Sequence, residues 1–268
     1  MNVNLGERMK SYEAAATTTL PPRTPMLIRV DGRAFHTYTR KNFAKPWDVT
    51  IRDGFSKIGA ALLREIPGAK VAYCQSDECT VLVTDYDSRV AQPWFGKVTS
   101  KINSVAASIA TATFNRHMAS ARPSVSALAT FDARCFVLPQ PDVCNAFIWR
   151  QKDAERNSIL GYAQSVFGHK AIHGLKCDAL RGKLEANKTP WEECATWEKR
   201  GWCVIRKATT MTAREWSETW HRPMLGDADE PVTRTMIVND YEIPIFTQDR
   251  VYIERHVYLN LGGAEASR

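Results

Sequence analysis

Met26-Leu27-Ile28-Arg29-Val30-Asp31 is the stretch from which the fold is read. Successive side chains of a strand point to opposite faces, so its alternation puts Leu27, Arg29 and Asp31 on one side and Met26, Ile28 and Val30 on the other. Arg29 and Asp31 therefore point the same way. After it, Ile51, Phe55, Ile58, Leu62 and Ile66 recur at steps of three and four, which predicts an amphipathic helix from Asp48 to Ile66. Asp48 is its expected N-cap and Pro67-Gly68 ends it. Two β-rich runs follow, Val71 to Cys74 and Glu78 to Val83, around the polar tip Gln75-Ser76-Asp77. They predict a hairpin whose tip sits near the end of the first strand.

A second long helix is expected from Pro93 to Met118, because Trp94, Val98, Ile102, Val105, Ile109 and Ala112 share one stripe. Lys97 and Lys101 fall on its other side. A strand over Cys135 to Leu138 completes the order β, α, β, β, α, β, the split βαβ arrangement of an α+β, ferredoxin-like domain and of many polymerase palms. A helix over Leu5 to Ala16 and the rigid Pro21 to Pro25 stretch precede this core. Beyond Pro141 the pattern is helical to about residue 200, most clearly over Ala146 to Phe167. Met236 to Val238 and Tyr241 to Ile245 then suggest a hairpin through Asn239-Asp240. The expected organisation is a palm-like catalytic domain over 1–140 and a helical and C-terminal β extension over 141–268, packed together as one compact unit.

The chain has 268 residues, 44% hydrophobic and 24% charged, enough to bury a sizeable core. It has no internal repeat, no apolar run long enough to span a membrane and no hydrophobic leader, so a soluble cytoplasmic protein is expected. Seven scattered cysteines without a C-x-x-C pair suit free thiols rather than disulfides or structural zinc. The formal net charge of +7 favours an anionic partner such as a nucleotide or a nucleic acid.

Two acidic segments carry the most chemical information: Asp31-Gly32 at the end of the first strand, and Asp77-Glu78 at the hairpin. Magnesium takes hard oxygen ligands and two-metal sites use carboxylates, while Gly32 lets its own carbonyl approach an ion. Each segment alone reads as ordinary turn residues; on adjacent strand ends they point to one centre. Phosphoryl chemistry also needs cations, and Arg29, Arg33, His36, Lys45, Lys97 and Lys101 lie on elements that would converge there. Of these, Lys97 is the one best explained as solvated surface charge. Lys45 precedes a helix N-terminus, where backbone N–H groups favour anions. Histidines 36, 117, 169, 173, 221 and 256 show no metal spacing beyond His169 and His173, for which an exposed helix face is the simpler account. Five tryptophans (191, 197, 202, 216, 220) cluster within thirty residues, either as core or as stacking surfaces for RNA bases.

In order and spacing, Arg29 to His36, Phe43 to Asp48, Ala72 to Glu78, Phe131-Asp132-Ala133-Arg134 and Trp149-Arg150-Gln151-Lys152-Asp153 resemble successive signatures of the tRNA-histidine guanylyltransferase family. The resemblance covers roughly residues 5 to 170. It implies a palm in which Asp31, the Gly32 carbonyl and Asp77 hold two magnesium ions, with Asp31, Asp77 and Glu78 as the catalytic carboxylates. It also implies that Arg29, Arg33, Ala34, Phe35, His36, Lys45, Ser76 and Lys101 surround a nucleoside triphosphate, braced by Asp48. Arg150, Asp153 and Asn157 would lie toward RNA or a second nucleotide. The implied reaction activates a 5′-monophosphate RNA end with ATP, releasing pyrophosphate, and the 3′-hydroxyl of GTP or another nucleotide then attacks the activated phosphate. The implied partner is tRNA and the implied assembly a homotetramer. In the guanylyltransferases proper a histidine and paired asparagines follow the Trp-Arg-Gln motif. Here the stretch reads Glu155-Arg156-Asn157-Ser158-Ile159-Leu160, as in relatives that repair tRNA 5′ ends. A catalytically silent RNA-binding module and a nucleotide cyclase on the same palm are the competing readings.

Overall fold

β1 (Met26–Gly32) runs through the middle of the palm, hydrogen-bonded antiparallel to β3 (Glu78–Val83) on one side and β4 (Phe131–Val137) on the other. In the computed structural model, which describes residues 4–258 apart from 221, 222, 224, 225 and the side chain of 220, β2 (Ala69–Gln75) pairs with β3. β5 (Trp202–Thr212) then extends the sheet from β2, and β6 (Pro231–Asp240) follows β5, giving the order β4-β1-β3-β2-β5-β6. With α1 (Leu5–Ala15), α2 (Phe35–Thr39), α3 (Val49–Glu65) and α4 (Thr99–Ala121) placed along the chain, the first four strands form the expected βαββαβ unit. The protein is α+β. The remaining helices are α5 (Gln140–Phe167), α6 (His169–Ile172), α7 (Cys177–Ala186), α8 (Thr196–Arg200), α9 (Ala213–Trp220) and α10 (Val251–Glu254).

The period-two alternation of β1 is honoured by packing. Ile28 and Val30, with Cys79, Val81 and Ala72, are covered by Phe55, Ile58 and Leu62 of α3 and Ile102, Ala106 and Phe114 of α4. Leu27 faces the opposite way with Tyr73 and Leu82, against Val143 and Phe147 of α5 and the C-terminal Phe246 and Ile253. α5 outruns the sheet, and its far half builds a third small core with α6 and α7 through Ile159, Ala163, Ile172, Leu180 and Leu184. At the β1–β4 corner the second face is left open, and Asp132 and Arg134 are exposed there.

Two expectations are corrected. The second helix begins at Thr99, not Pro93, because Trp94–Lys97 is a tight 3-10 turn in which Phe95, Gly96 and Lys97 have φ near 48°, 58° and 59°. That turn drives Lys97 inward, with its side chain 3% exposed. Its ammonium donates to the carbonyls of Pro21 (2.9 Å) and Thr24 (2.8 Å) and pairs with Asp85 at 3.2 Å. Lys97 is neither solvated nor near the acidic centre; it clamps the Pro21–Pro25 entry onto the sheet. The hairpin through Asn239-Asp240 is also absent. Both residues continue β6, opposite Val204 and Cys203 of β5, and Asp240 accepts a 2.7 Å hydrogen bond from Tyr252. A local turn signal gives way because a distant strand satisfies that backbone.

Candidate functional site

The register sets Asp31 of β1 directly opposite Glu78 of β3 and Asp132 of β4. Directly paired residues of antiparallel strands share a face, so three carboxylates line up across the open corner. Two residues back, Arg29 is flanked by Thr80 and Arg134. The hairpin tip folds onto the end of β1, as expected: Gly32 donates its N–H to the Asp77 carbonyl at 2.9 Å, while Ser76, at φ 48°, hydrogen-bonds the Asp77 carboxylate at 2.9 Å. Gly32 is required for a further reason. A Cβ there would lie 2.2 Å from the Phe35 ring.

Burial, together with the negative charges of Asp77, Glu78 and Asp132, raises the Asp31 carboxyl from 3.8 to about 6, against a smaller opposing pull from Arg134. Glu78 is in a different position. Both its oxygens accept from Arg150, at 2.8 Å and 2.6 Å, and one also accepts from Thr80 at 3.1 Å. Its charge is thus balanced by α5, although it neighbours Asp31 in register. Among the described residues no three His, Cys, Asp or Glu side chains gather around one point that would hold a metal. What the corner presents is a pair of carboxylates, Asp31 and Asp77, neither with a salt-bridge partner among the described residues, plus the Gly32 carbonyl. Hard oxygen donors with unrelieved negative charge fit a divalent cation of the magnesium type.

Beside this corner opens a cavity of about 280 Å³. One wall is Phe35, His36, Thr39, Lys45 and Asp48; Gln75, Ser76 and Asp77 form its floor; Arg52, Asn157, Ser158, Trp197, Glu198 and Trp202 close it. The wall is built by local rules. Asp48 caps α3 by accepting from the N–H groups of Thr50 (2.8 Å) and Ile51 (3.4 Å), and also holds the Ala44 N–H at 2.9 Å. Burial alone would raise its carboxyl; these hydrogen bonds bring it below the usual value. Lys45 donates to Thr39 at 2.5 Å. Its ammonium is lowered by burial, with Asp77 and Asp48 pulling the other way. A cation that lines the cavity beside Asp77 is positioned for an anionic ligand.

Phe35, His36, Lys45, Asp48, Ser76, Asp77 and Asn157 are thus brought together around the cavity, although the Phe35 ring mainly packs with Phe55, Phe114 and Phe131. Arg29, Arg33, Ala34, Lys101, Arg150 and Asp153 lie outside it. Arg33 and Ala34 are exposed on the turn before α2, and Lys101 is exposed on α4. Asp153 pairs with Arg150 at 3.0 Å and with Arg156. Of the cavity's other residues, Arg52 is not marked by any sequence pattern, and Trp197 and Trp202 are marked only as members of the tryptophan cluster. Arg52 is sandwiched between the rings of Trp197 (4.9 Å) and Tyr241 (4.5 Å), and Trp202 is buried with its indole N–H on Ser56 at 2.9 Å. The tryptophan cluster was the available signal, but it is divided: Trp191 and Trp202 are buried, Trp197 and Trp202 edge the cavity, and Trp216 stands by Arg234 of β6. His169 and His173 are exposed, and His221 lies outside the described residues. All seven cysteines are free.

The model of the tRNAHis guanylyltransferase family matches residues 6–139, half of the chain, including the whole of the acidic corner and the cavity's Phe35–Asp48 wall. The chain belongs to the tRNAHis guanylyltransferase family. This is a family of nucleotidyltransferases. Among its relatives, an uncharacterized protein of Acanthamoeba polyphaga mimivirus is 27% identical, over 79% of this chain and 80% of its own length. The tRNA(His) guanylyltransferase of Debaryomyces hansenii is 29% identical over 57% of each chain, so the match spans little more than half of that enzyme. A solved bacterial tRNA(His) guanylyltransferase-like protein in complex with ATP is 41% identical with a TM-score of 0.82, covering 96% of this chain and 100% of its own. One in complex with GTP is 38% identical with a TM-score of 0.73, covering 95% and 100%. The Saccharomyces cerevisiae tRNA(His) guanylyltransferase, at 19% identity and a TM-score of 0.65 over 75% of this chain and 93% of its own, shares the fold.

Proposed function

We propose that this chain is a magnesium-dependent nucleotidyltransferase that adds nucleotides in the 3′-to-5′ direction to the 5′ end of tRNA. The observation that carries this reading is the cavity bearing Lys45, Asp48 and Ser76 whose floor includes Asp77, the neighbour of the Asp31–Gly32 corner. The ATP and GTP complexes of the bacterial relatives support nucleoside triphosphates as its substrates.

Asp31, the Gly32 carbonyl and Asp77 would hold magnesium, which when bound neutralises charge on the transferring phosphoryl group and acidifies the attacking hydroxyl. Lys45, with the N–H groups around Ser76, receives triphosphate oxygens, and the aromatic wall of Trp197 and Trp202 faces a base. A phosphate oxygen of the RNA 5′ end attacks the α-phosphorus of ATP and pyrophosphate leaves. The 3′-hydroxyl of the incoming nucleotide then attacks the 5′ phosphorus of the activated RNA, and AMP leaves. Fixed cations and dipoles suffice for this chemistry, so no protein nucleophile is needed. The Glu155–Leu160 stretch favours repair of truncated 5′ ends over addition to tRNA-histidine alone.

The test is a 5′-truncated, 5′-monophosphorylated tRNA incubated with ATP, GTP, the other nucleotides and Mg²⁺. Longer RNA, with AMP and pyrophosphate released, is expected from the wild type and not from Asp31→Ala or Asp77→Ala. RNA that stays unextended across several tRNAs overturns the proposal, and a cyclic nucleotide formed without RNA would make the protein a cyclase.

A further inference from the structure

We infer that Trp149 is a stacking platform for the 5′-terminal nucleobase of the acceptor RNA, at the open corner of the sheet; this rests on the RNA 5′-end reading above. The buried seam of α5 runs through Val143, Phe147, Gln151 and Ala154. Trp149 lies off that seam and is 55% exposed, unusual for a side chain that is normally well buried. It is nevertheless fixed in place. The guanidinium of Arg150 stands 4.7 Å from its ring centroid and that of Arg29 stands 5.6 Å away. Arg150 is itself held by Glu78 and Asp153, while the buried Nε of Arg29 has no hydrogen-bond partner. The indole is thus presented on a cationic mount rather than sunk into an apolar core.

Its position gives the mount a purpose. Arg29 and Asp31 are two residues apart on the same face of β1, a separation of about 7 Å along a strand. Trp149, packed on Arg29, therefore stands near Asp31, a carboxylate proposed to hold magnesium, yet it does not line the nucleotide cavity. Arg134, opposite Arg29 in register, has a 53% exposed side chain bonded to Asp132 at 3.1 Å. An aromatic plane with two guanidiniums against it, and Arg134 beside Arg29 on the next strand, matches a polyanion that carries π faces: the base stacks on the indole and its phosphate meets Arg134. An apolar protein partner would have to desolvate those cations without compensating them.

The experiment uses the full chain and an RNA hairpin with a 5′-monophosphate and 2-aminopurine as its first base, whose fluorescence falls on stacking. Wild type is expected to quench it. Trp149→Ala should abolish the quench and weaken RNA binding about 10-fold or more, as expected for one lost base–aromatic stack, while ATP affinity is unchanged and Trp149→Phe keeps most of both. No quench with wild type, or full quench and affinity in Trp149→Ala, overturns the proposal. A change in sedimentation with RNA binding intact also overturns it, since Trp149 would then be covered by a second copy. Binding is read without turnover, so wild-type protein that quenches but extends no RNA would count against the proposed reaction alone.

Discussion

Replacing Arg150 with methionine should be among the most damaging single changes outside the hydrophobic core. Both oxygens of Glu78 depend on this guanidinium, at 2.8 Å and 2.6 Å, and the two side chains are only 11% and 6% exposed. Arg150→Met removes the cation and leaves the carboxylate buried beside Asp31, and breaking such a pair costs roughly 3 to 5 kcal/mol. For a chain of this size that is a fall in melting temperature of about 6 to 20 °C, at about 2 to 4 °C per kcal/mol. Glu78→Gln keeps the shape, removes the surplus charge and leaves Arg150 paired with Asp153 at 3.0 Å, so it should cost only about 1 to 2 kcal/mol. Because the two residues touch, the double variant Arg150→Met/Glu78→Gln should be more stable than the summed single losses predict, by about 2 kcal/mol. Urea unfolding of the four proteins in magnesium-free buffer measures the cycle. Additive losses, or an Arg150→Met cost under about 1 kcal/mol, would refute the argument that α5 neutralises Glu78 and leaves Asp31 and Asp77 as the free carboxylates of the corner.

Asp31→Asn should stabilise chelator-treated protein at pH 8. The folded carboxyl holds its proton up to about pH 6, whereas an unfolded one loses it near 3.8, so its favourable contribution is complete below about pH 4 and is lost as pH rises through 6. At 1.36 kcal/mol per pH unit the full shift is about 3 kcal/mol, which screening at this half-buried site reduces to about 1 kcal/mol. A rise in melting temperature at pH 8 that vanishes at pH 4 is the expected scan, and equal curves at both pH values contradict it. Lys97→Met strands Asp85 and the Pro21 and Thr24 carbonyls, so it should cost roughly 3 kcal/mol or more in urea unfolding, while nucleotide affinity measured below the transition stays the same. Gly32→Ala drives a methyl into the Phe35 ring, 2.2 Å from the Cβ; displacement of β1 or α2 should weaken ATP binding by about 10-fold or more in calorimetry, about 1.4 kcal/mol, and wild-type affinity would show that the ring yields freely.

Much of the palm was legible because its signals are local and repeated. The alternation in β1, the three-and-four spacing in α3 and the Gln75-Ser76-Asp77 tip each follow from a short window, and their order admits few topologies. The acidic corner was legible for the same reason, since strand ends and hairpin tips are where a sheet places its turns. The Trp94–Lys97 turn was not: the apolar stripe runs through it unbroken, and only the buried partners of Lys97, Asp85 and two carbonyls more than seventy residues away in the chain, make the left-handed kink worthwhile. Asn239-Asp240 failed likewise, because a turn dipeptide yields to a strand when a distant partner completes its ladder.

The sequence by itself determined which residues are candidates and where they stand: Asp31, Gly32 and Asp77 at strand ends and the hairpin tip, and Lys45 and Asp48 at the start of α3. Only the tertiary structure decided which of the charged groups are already spent. Glu78 looks equivalent to Asp77 in the chain, yet Arg150, from a helix seventy residues on, balances one and not the other. It also decided that Trp197 and Trp202 wall the cavity while Trp149 stands outside it in solvent. The reason is physical: strand and helix periodicity are fixed by neighbouring backbone, whereas charge compensation and burial depend on groups that meet only when the sheet and α5 close on one another.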